Sequence, residues 1–227
     1  GGNMRLAAYP PGKGDITNMI RSYIHRCQKD GVKIVMNCEV TPELIKEEKP
    51  DSVIIATGSK TLILPIEGID NPAIIHGSDL LDGKRAAGKK VLVVGGGMVG
   101  CETAAFLGEQ EHDVTVIEFR DTVGADVIHE HRVYLMKDFE DYGIKEITGA
   151  KVCKFYEDGV EYETADGVRH ETRGYDSVIL SMGFRNYNPL EEKIKDLVPE
   201  THVIGDAIRA RRALDATKEA YEVASRL

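Results

Sequence analysis

The 227-residue sequence contains no tryptophan, and only 6% of its residues are aromatic. No apolar run approaches the roughly 18 residues needed to span a bilayer, so the sequence does not predict a membrane protein. Basic residues are in deficit, with 29 Lys and Arg against 38 Asp and Glu and a net charge of −9. This balance disfavours nucleic acid and anionic membranes as partners. No secretory or transit signal opens the printed sequence, which predicts a cytoplasmic protein.

Cysteine is also scarce. The four cysteines form no C-x-x-C pair and stand far apart, at Cys27, Cys38, Cys101 and Cys153. This excludes a thioredoxin-type dithiol, a zinc ribbon and a cysteine-ligated cluster within these residues. His129 and His131 are two residues apart on a predicted helix and do not share a face, so no metal site is predicted. No Ser–His–Asp or paired-carboxylate pattern identifies a catalytic residue.

The most informative segment covers residues 91–118 and reads VLVVGGGMVGCETAAFLGEQEHDVTVIE. It combines an apolar strand, a glycine-rich turn, a helix and a second apolar strand that ends on an acid. Gly95, Gly97 and Gly100 fit G-x-G-x-x-G, and Glu118 follows Gly95 by 23 residues. The pattern is typical of a dinucleotide-binding unit, in which the turn accepts the pyrophosphate and the acid binds the ribose.

Each glycine in the turn has a physical task. Gly95 permits the tight bend, Gly97 lets the backbone approach a pyrophosphate, and Gly100 lets the helix pack closely on the strand. The start of the helix then offers free N–H groups and the positive end of its dipole to the phosphates. The predicted phosphate site comprises Gly95, Gly96, Gly97, Met98, Val99 and Gly100.

The choice of coenzyme depends on two residues. Glu118 favours NAD(H), because a carboxylate accepts a hydrogen bond from the free 2′-hydroxyl and repels the 2′-phosphate of NADP(H). Arg120 leaves the alternative open, since it is either a partner for that phosphate or a solvated surface charge. The sequence therefore predicts a bound nicotinamide dinucleotide, NAD(H) in preference to NADP(H).

Helical and strand patterns alternate over the rest of the chain. The spacing of apolar residues predicts helices over residues 15–31, from residue 42, over 129–142 and from about 211. It predicts strands at residues 33–36, 52–56, 177–181 and 202–204, of which 52–56 and 177–181 are apolar enough to be buried on both faces. Residues 144–172 predict a small antiparallel meander with D-G turns. The fold class is α/β, with Rossmann-like doubly wound parallel sheets.

Two segments share one sequence pattern, DSVIIATG at residues 51–58 and DSVILSMG at residues 176–183. Each is an acid, an apolar strand and a terminal glycine, which suggests two related nucleotide domains. The turn of Ala56, Thr57 and Gly58 is either a simple strand end or a close backbone pass over a cofactor. Gly205 and Asp206 have the same alternatives, Asp206 being otherwise a helix cap. Met182 and Gly183 are also candidate cofactor contacts.

The order of these motifs resembles that of the two-dinucleotide-binding flavoproteins of the disulfide-reductase class. More closely, with the opening GGNMR and PGKG at residues 11–14, the chain resembles the C-terminal region of NADH:flavin oxidoreductases related to 2,4-dienoyl-CoA reductase, 2-enoate reductase and trimethylamine dehydrogenase. The resemblance implies an NAD(P)-type domain at residues 87–173, inserted in an incomplete FAD-type domain at 1–86 and 174–227. It also implies that Gly205 and Asp206 lie near a flavin and that Glu102 faces the nicotinamide nucleotide.

Several parts of that family have no counterpart in these residues: the first G-x-G-x-x-G unit, the catalytic barrel with its FMN, and the cysteine motif for an iron–sulfur cluster. The resemblance therefore implies a fragment of a longer NAD(P)H:flavin oxidoreductase. The complete enzyme would hold FAD and pass hydride from NADH to a flavin, with an enoate, enoyl-thioester or amine substrate bound elsewhere. The expected partner is the N-terminal barrel. The alternatives are a non-catalytic NAD(H)-binding module and an electron-transfer component of a separate flavoprotein. Assembly into a homo-oligomer stays open.

Overall fold

The structure is a computed structural model that describes all 227 residues. The helices are α1 (Asn3–Leu6), α2 (Asp15–Lys29), α3 (Pro42–Glu48), α4 (Gly77–Leu81), α5 (Met98–Glu109), α6 (His129–Asp141), α7 (Glu191–Ile194) and α8 (Ala213–Ala224). The strands are β1 (Ser52–Ile55), β2 (Ser59–Thr61), β3 (Ile75–His76), β4 (Lys90–Val94), β5 (Asp113–Ile117), β6 (Lys145–Ile147), β7 (Lys151–Tyr156), β8 (Gly159–Glu163), β9 (Arg169–Thr172), β10 (Ser177–Leu180), β11 (Phe184–Asn186) and β12 (Glu200–Val203). The α/β fold class is confirmed.

The chain forms two compact units. The first comprises residues 1–5, 16–60 and 184–227, and the second comprises residues 6–15 and 61–183. Residues 6–15, 61–86 and 174–183, which the prediction assigns to the FAD-type domain, belong to the second compact unit. The physical reason is strand pairing: β3 and β10 lie side by side in the sheet that contains β4. The assignment of the units as FAD-type and NAD(P)-type stays a prediction.

The second unit is built on a five-stranded sheet in the order β3-β10-β4-β5-β6, with every neighbouring pair parallel. Along β4, Val91 and Val93 belong to a buried cluster with residues of α5 and α6. Leu92 and Val94 belong to a second cluster with residues of β7 and β8. Since successive side chains point to opposite faces of a sheet, an apolar layer on each side explains the uninterrupted apolar run of this strand.

Strand order in this sheet creates a crevice. From β4, the chain continues through β5 and β6 on one side, whereas β10 and β3 lie on the other side. In open α/β sheets, ligands bind outside the carboxyl ends of the strands where the order reverses in this way. The glycine-rich turn follows the carboxyl end of β4, and Ser181 follows that of β10.

The remaining strands of the second unit form the predicted meander. Strands β7, β8 and β9 pair antiparallel, and Asp166 and Gly167 lie in the turn between β8 and β9. Phe155 and Val160 of this sheet are buried against the five-stranded sheet. The meander begins at β7, later than the predicted residue 144, because residues 145–147 form β6 at the edge of the parallel sheet.

The first unit has a smaller core, formed by Ile45, Ile55, Leu190, Ile194 and Val198. Strand β1 pairs in parallel with β12 alone. The prediction that residues 52–56 are buried on both faces is wrong, since Ile54 is 40% exposed. A strand with one neighbour and few covering side chains cannot be enclosed as β10 is.

The predicted strand at residues 33–36 is also absent, because no strand of this chain lies beside this segment. Val35 and Met36 are exposed by 58% and 76%. A short apolar run forms a strand only where a neighbouring strand satisfies its backbone N–H and C=O groups.

Candidate nucleotide-binding site

At both ends of the glycine-rich turn (residues 95–100), backbone contacts leave no room for a side chain. Gly95 has φ +105°, and a Cβ atom on it would lie 2.5 Å from the carbonyl oxygen of Ser181. A Cβ atom on Gly100 would lie 1.8 Å from the carbonyl oxygen of Gly95. The need for glycine at position 100 therefore comes from the turn itself, in addition to the predicted packing of helix on strand.

The side chain of Glu118 connects the end of β5 to this turn. Its Oε2 accepts a hydrogen bond from the Gly96 N–H at 2.6 Å, and its Oε1 accepts one from the Arg120 N–H at 2.9 Å. An ionised carboxylate has about four acceptor positions. Each oxygen therefore keeps capacity for a further donor, such as a sugar hydroxyl, while its position is fixed by the backbone.

The start of α5 carries the amide groups that an anion would contact. The Met98 N–H donates to Oδ1 of Asp126 at 2.9 Å. The first N–H groups of a helix have no partner within the helix and carry its positive dipole end. This end of α5 therefore provides donors and positive potential together.

A cavity of about 220 Å³ lies over the turn. It is lined by the predicted residues Gly95, Gly96, Gly97, Met98, Val99, Glu118, Arg120, Met182 and Gly183, together with Thr122, Ala125, Asp126 and Ser181. Gly100 lies behind the turn and does not line it. The last four residues were missed by sequence reasoning. Three of them belong to an irregular loop after β5 for which no sequence rule gives a path, whereas Ser181 could have been found at the end of the repeated strand motif.

Glu102, which the resemblance places beside the nicotinamide nucleotide, does not line this cavity. Its side chain is 8% exposed and pairs with the ammonium of Lys13, and His131 Nε2 lies 3.3 Å from the same carboxylate oxygen without hydrogen-bond geometry. These three residues line a second cavity of about 390 Å³, with Pro10 and Tyr134 at its wall. Sequence reasoning missed Lys13 and His131, because neither is near Glu102 in the chain.

The candidate residues of the first unit line neither cavity. The Thr57 hydroxyl donates to the carbonyl oxygen of Tyr187, and the Gly58 carbonyl oxygen accepts from the N–H of the same residue. Asp206 accepts from the Ser59 hydroxyl through Oδ2, at 3.0 Å. Ala56 follows β1 and Gly205 follows β12, and these two strands are paired. Contacts within the unit account for these turns, so a cofactor role for them stays a prediction.

Cys101 is a structural residue of the turn. It is fully buried, and its thiol donates to the Gly96 carbonyl oxygen at 3.2 Å. Burial raises the pKa of the thiol to about 12. Because the thiolate is the reactive form of cysteine, this residue is not a nucleophile at neutral pH.

No helix of the structure has the length and apolar character to cross a membrane, and the cytoplasmic location stays a prediction.

A parallel sheet with a glycine-rich turn and an acid at its crevice defines a dinucleotide-binding α/β domain. Residues 12–204 match the family model described as pyridine nucleotide-disulphide oxidoreductase, so the chain belongs to this family of FAD- and NAD(P)-binding proteins. The class inferred from the motif order is confirmed.

Curated relatives extend the comparison over the whole chain. A cinnamate reductase of Clostridium sporogenes is 30% identical over 230 residues, covering 100% of this chain and 34% of the relative. An NADH oxidase of Thermoanaerobacter brockii is 31% identical and covers 99% of this chain and 35% of the relative. A metal reductase of Desulforamulus reducens is 28% identical, with coverages of 99% and 38%. The chain thus spans about a third of the length of these relatives.

Solved structures agree with this classification. A complex of 2-naphthoyl-CoA reductase with 2-naphthoyl-CoA superposes with a TM-score of 0.94 at 31% identity, covering the whole of this chain and 34% of that protein. Histamine dehydrogenase from Rhizobium sp. 4-9 superposes with a TM-score of 0.84 at 17% identity, covering 100% of this chain and 38% of that one. At that identity the second comparison shows the fold alone.

Proposed function

We propose that this chain binds a nicotinamide dinucleotide at residues 95–100 and serves as the coenzyme-binding part of a flavin-dependent oxidoreductase. The observation that carries the proposal is the pairing of the Glu118 carboxylate with the Gly96 N–H. This bond holds the acceptor for the ribose and the donors for the pyrophosphate in one rigid arrangement. The position at the reversal of strand order supports the same site.

The charges of the site favour NAD(H) over NADP(H). The Glu118 carboxylate accepts the ribose 2′-hydroxyl, whereas a 2′-phosphate beside it would be repelled. Arg120 also lines the cavity, and a guanidinium there would partly offset that repulsion. We propose that the carboxylate decides the preference, because it is fixed by two backbone hydrogen bonds.

The nicotinamide end of the coenzyme is proposed to extend toward Glu102, one turn along α5 from Met98. In the complete oxidoreductase, a bound flavin would supply the redox chemistry by accepting hydride, and the protein's residues would bind and orient the coenzyme. Ala56, Gly58 and Asp206 are proposed contacts of an FAD. The names cinnamate reductase and 2-naphthoyl-CoA reductase support an enoate or thioester substrate, which we propose is bound outside these residues. FMN and an iron–sulfur cluster in the complete enzyme stay predictions from the family resemblance.

A second candidate is a non-catalytic NAD(H)-binding module. It is favoured by one observation: every residue that lines the cavity over the glycine-rich turn belongs to the second unit, so this unit alone provides the proposed coenzyme site. The two candidates differ in turnover. Reduction of an artificial acceptor by NADH after addition of FAD supports the oxidoreductase, whereas coenzyme binding without any turnover supports the module.

Calorimetric titration of the 227-residue chain with NADH, NADPH, ADP-ribose and nicotinamide mononucleotide tests coenzyme binding. We expect NADH to bind more tightly than NADPH, and ADP-ribose to retain most of the affinity because the phosphate and ribose contacts lie in its half. Nicotinamide mononucleotide should bind far more weakly. Absence of heat with both coenzymes, in a preparation that unfolds cooperatively, would overturn the proposal.

A further inference from the structure

One feature of the proposed coenzyme site opposes an anionic ligand. The carboxylate of Asp126 lines the cavity and accepts a hydrogen bond from the Met98 N–H at 2.9 Å. Its Oδ2 lies 3.3 Å from the position that a Cβ atom on Gly97 would have. The space in front of Gly97 and the start of α5 is therefore filled by an acidic side chain of the same chain.

The backbone that carries Asp126 is fixed on both sides. Val123 is fully buried and Val127 is 8% exposed, and both belong to the main core cluster. The Gly124 N–H donates to the Gly96 carbonyl oxygen at 2.7 Å, which fastens this loop to the glycine-rich turn. Withdrawal of the carboxylate therefore requires rotation of one short side chain, with no movement of the loop.

A diphosphate and this carboxylate compete for the same donors. Helix N-terminal N–H groups bind phosphates and carboxylates alike, because both present anionic oxygens to the positive end of the helix dipole. Two anions in van der Waals contact repel each other. Only one of the two anions, the diphosphate or the Asp126 carboxylate, can accept the hydrogen bond from the Met98 N–H.

We propose that the Asp126 carboxylate occupies the pyrophosphate position and caps α5 when no coenzyme is bound. Because this side chain has to rotate away before the pyrophosphate can bind, it lowers the affinity of the site for the coenzyme. This inference rests on the proposed function, since it concerns the same site. Asp126 would thus lower the affinity for the coenzyme although it is not part of the G-x-G-x-x-G motif. The acid stabilises the free protein and weakens the complex.

Two substitutions at this position separate the cap from the charge. Asp126→Ala removes both, and we expect NADH to bind about tenfold more tightly, because loss of the capping hydrogen bond and loss of the repulsion both favour the complex. Asp126→Asn keeps a good capping side chain without the charge, so its affinity for NADH should lie between those of Asp126→Ala and the unsubstituted chain. Inorganic pyrophosphate is a second probe and should follow the same order.

Asp121→Ala is the matched control, because Asp121 is an exposed acid of the same loop that does not line the cavity. Its affinity for NADH should stay within about twofold of the unsubstituted chain. The Asp126→Ala variant should also unfold at a lower temperature without ligand. Equal or weaker binding of NADH to Asp126→Ala would overturn the inference while leaving the proposed function intact. Failure of every variant and of the unsubstituted chain to bind NADH would instead refute the proposed function.

Discussion

Replacement of Glu118 by alanine tests the ribose contact and the coenzyme preference together. The carboxylate has two structural hydrogen bonds, to the N–H groups of Gly96 and Arg120. Its removal therefore disturbs the glycine-rich turn as well as any contact to the ribose. A fall in NADH affinity alone would not separate these two effects, so NADPH has to be measured in parallel.

The magnitude follows from the kind of bond that is lost. A hydrogen bond to a charged group contributes about 1.5–3 kcal/mol, so loss of the ribose contact should weaken NADH binding by about 10- to 150-fold. Disturbance of the turn affects the pyrophosphate of both coenzymes equally. For NADPH, removal of a carboxylate beside the 2′-phosphate offsets part of that loss. The ratio of the two dissociation constants therefore isolates the ribose contact.

The assay is fluorescence titration with NADH and NADPH, accompanied by thermal unfolding of each variant. Glu118→Gln is the control that keeps the size of the side chain and one acceptor oxygen while removing the charge. We expect the preference for NADH to disappear in Glu118→Ala and to diminish in Glu118→Gln. Equal weakening of both coenzymes in Glu118→Ala would refute the reasoning, because Glu118 would then act only through the turn.

Three further predictions concern the turn, a thiol and the pH dependence of stability. Gly100→Ala should lower the free energy of unfolding by about 3 kcal/mol, because its Cβ atom meets a backbone oxygen that cannot move alone; unchanged denaturant unfolding would contradict this. At pH 8, iodoacetamide should modify the exposed Cys38 and leave Cys101 unmodified until the protein is denatured, since a pKa of about 12 leaves almost no thiolate; equal labelling of both, measured by mass spectrometry, would be the contrary result. The Arg211 guanidinium, as the largest cause, lowers the pKa of Glu219 below 4.5, so this pair stabilises the fold above that pH and the effect is lost as the pH falls through the lowered value. Arg211→Ala should therefore flatten the loss of stability below pH 4.5, and an unaltered pH profile would disprove this assignment.

The central part of the site was predictable because its determinants are local in sequence. The apolar run of β4, the glycine spacing and the acid after β5 all lie within residues 91–118, and the structure assembles them as one strand–turn–helix–strand unit. The meander was also predictable, since its alternation and D-G turns depend on neighbouring residues. These signals need no knowledge of the rest of the fold.

Other features depend on partners that are remote in sequence. The pairing of Lys13 with Glu102 joins residues 89 positions apart, and no local pattern brings them together. The false strand at residues 33–36 has the right apolar pattern but no neighbouring strand. The unit boundaries followed from the parallel pairing of β3 with β10, which a linker rich in proline and glycine concealed. Asp126 was missed because its loop is irregular.

The most direct test of the account is a crystal structure of the chain in complex with NADH. We predict the diphosphate within hydrogen-bond distance of the Gly97 and Val99 N–H groups and the adenosine ribose on the Glu118 carboxylate. The Asp126 side chain should be rotated away from the Met98 N–H. A dinucleotide bound elsewhere, with the cavity over the glycine-rich turn unchanged, would contradict the account.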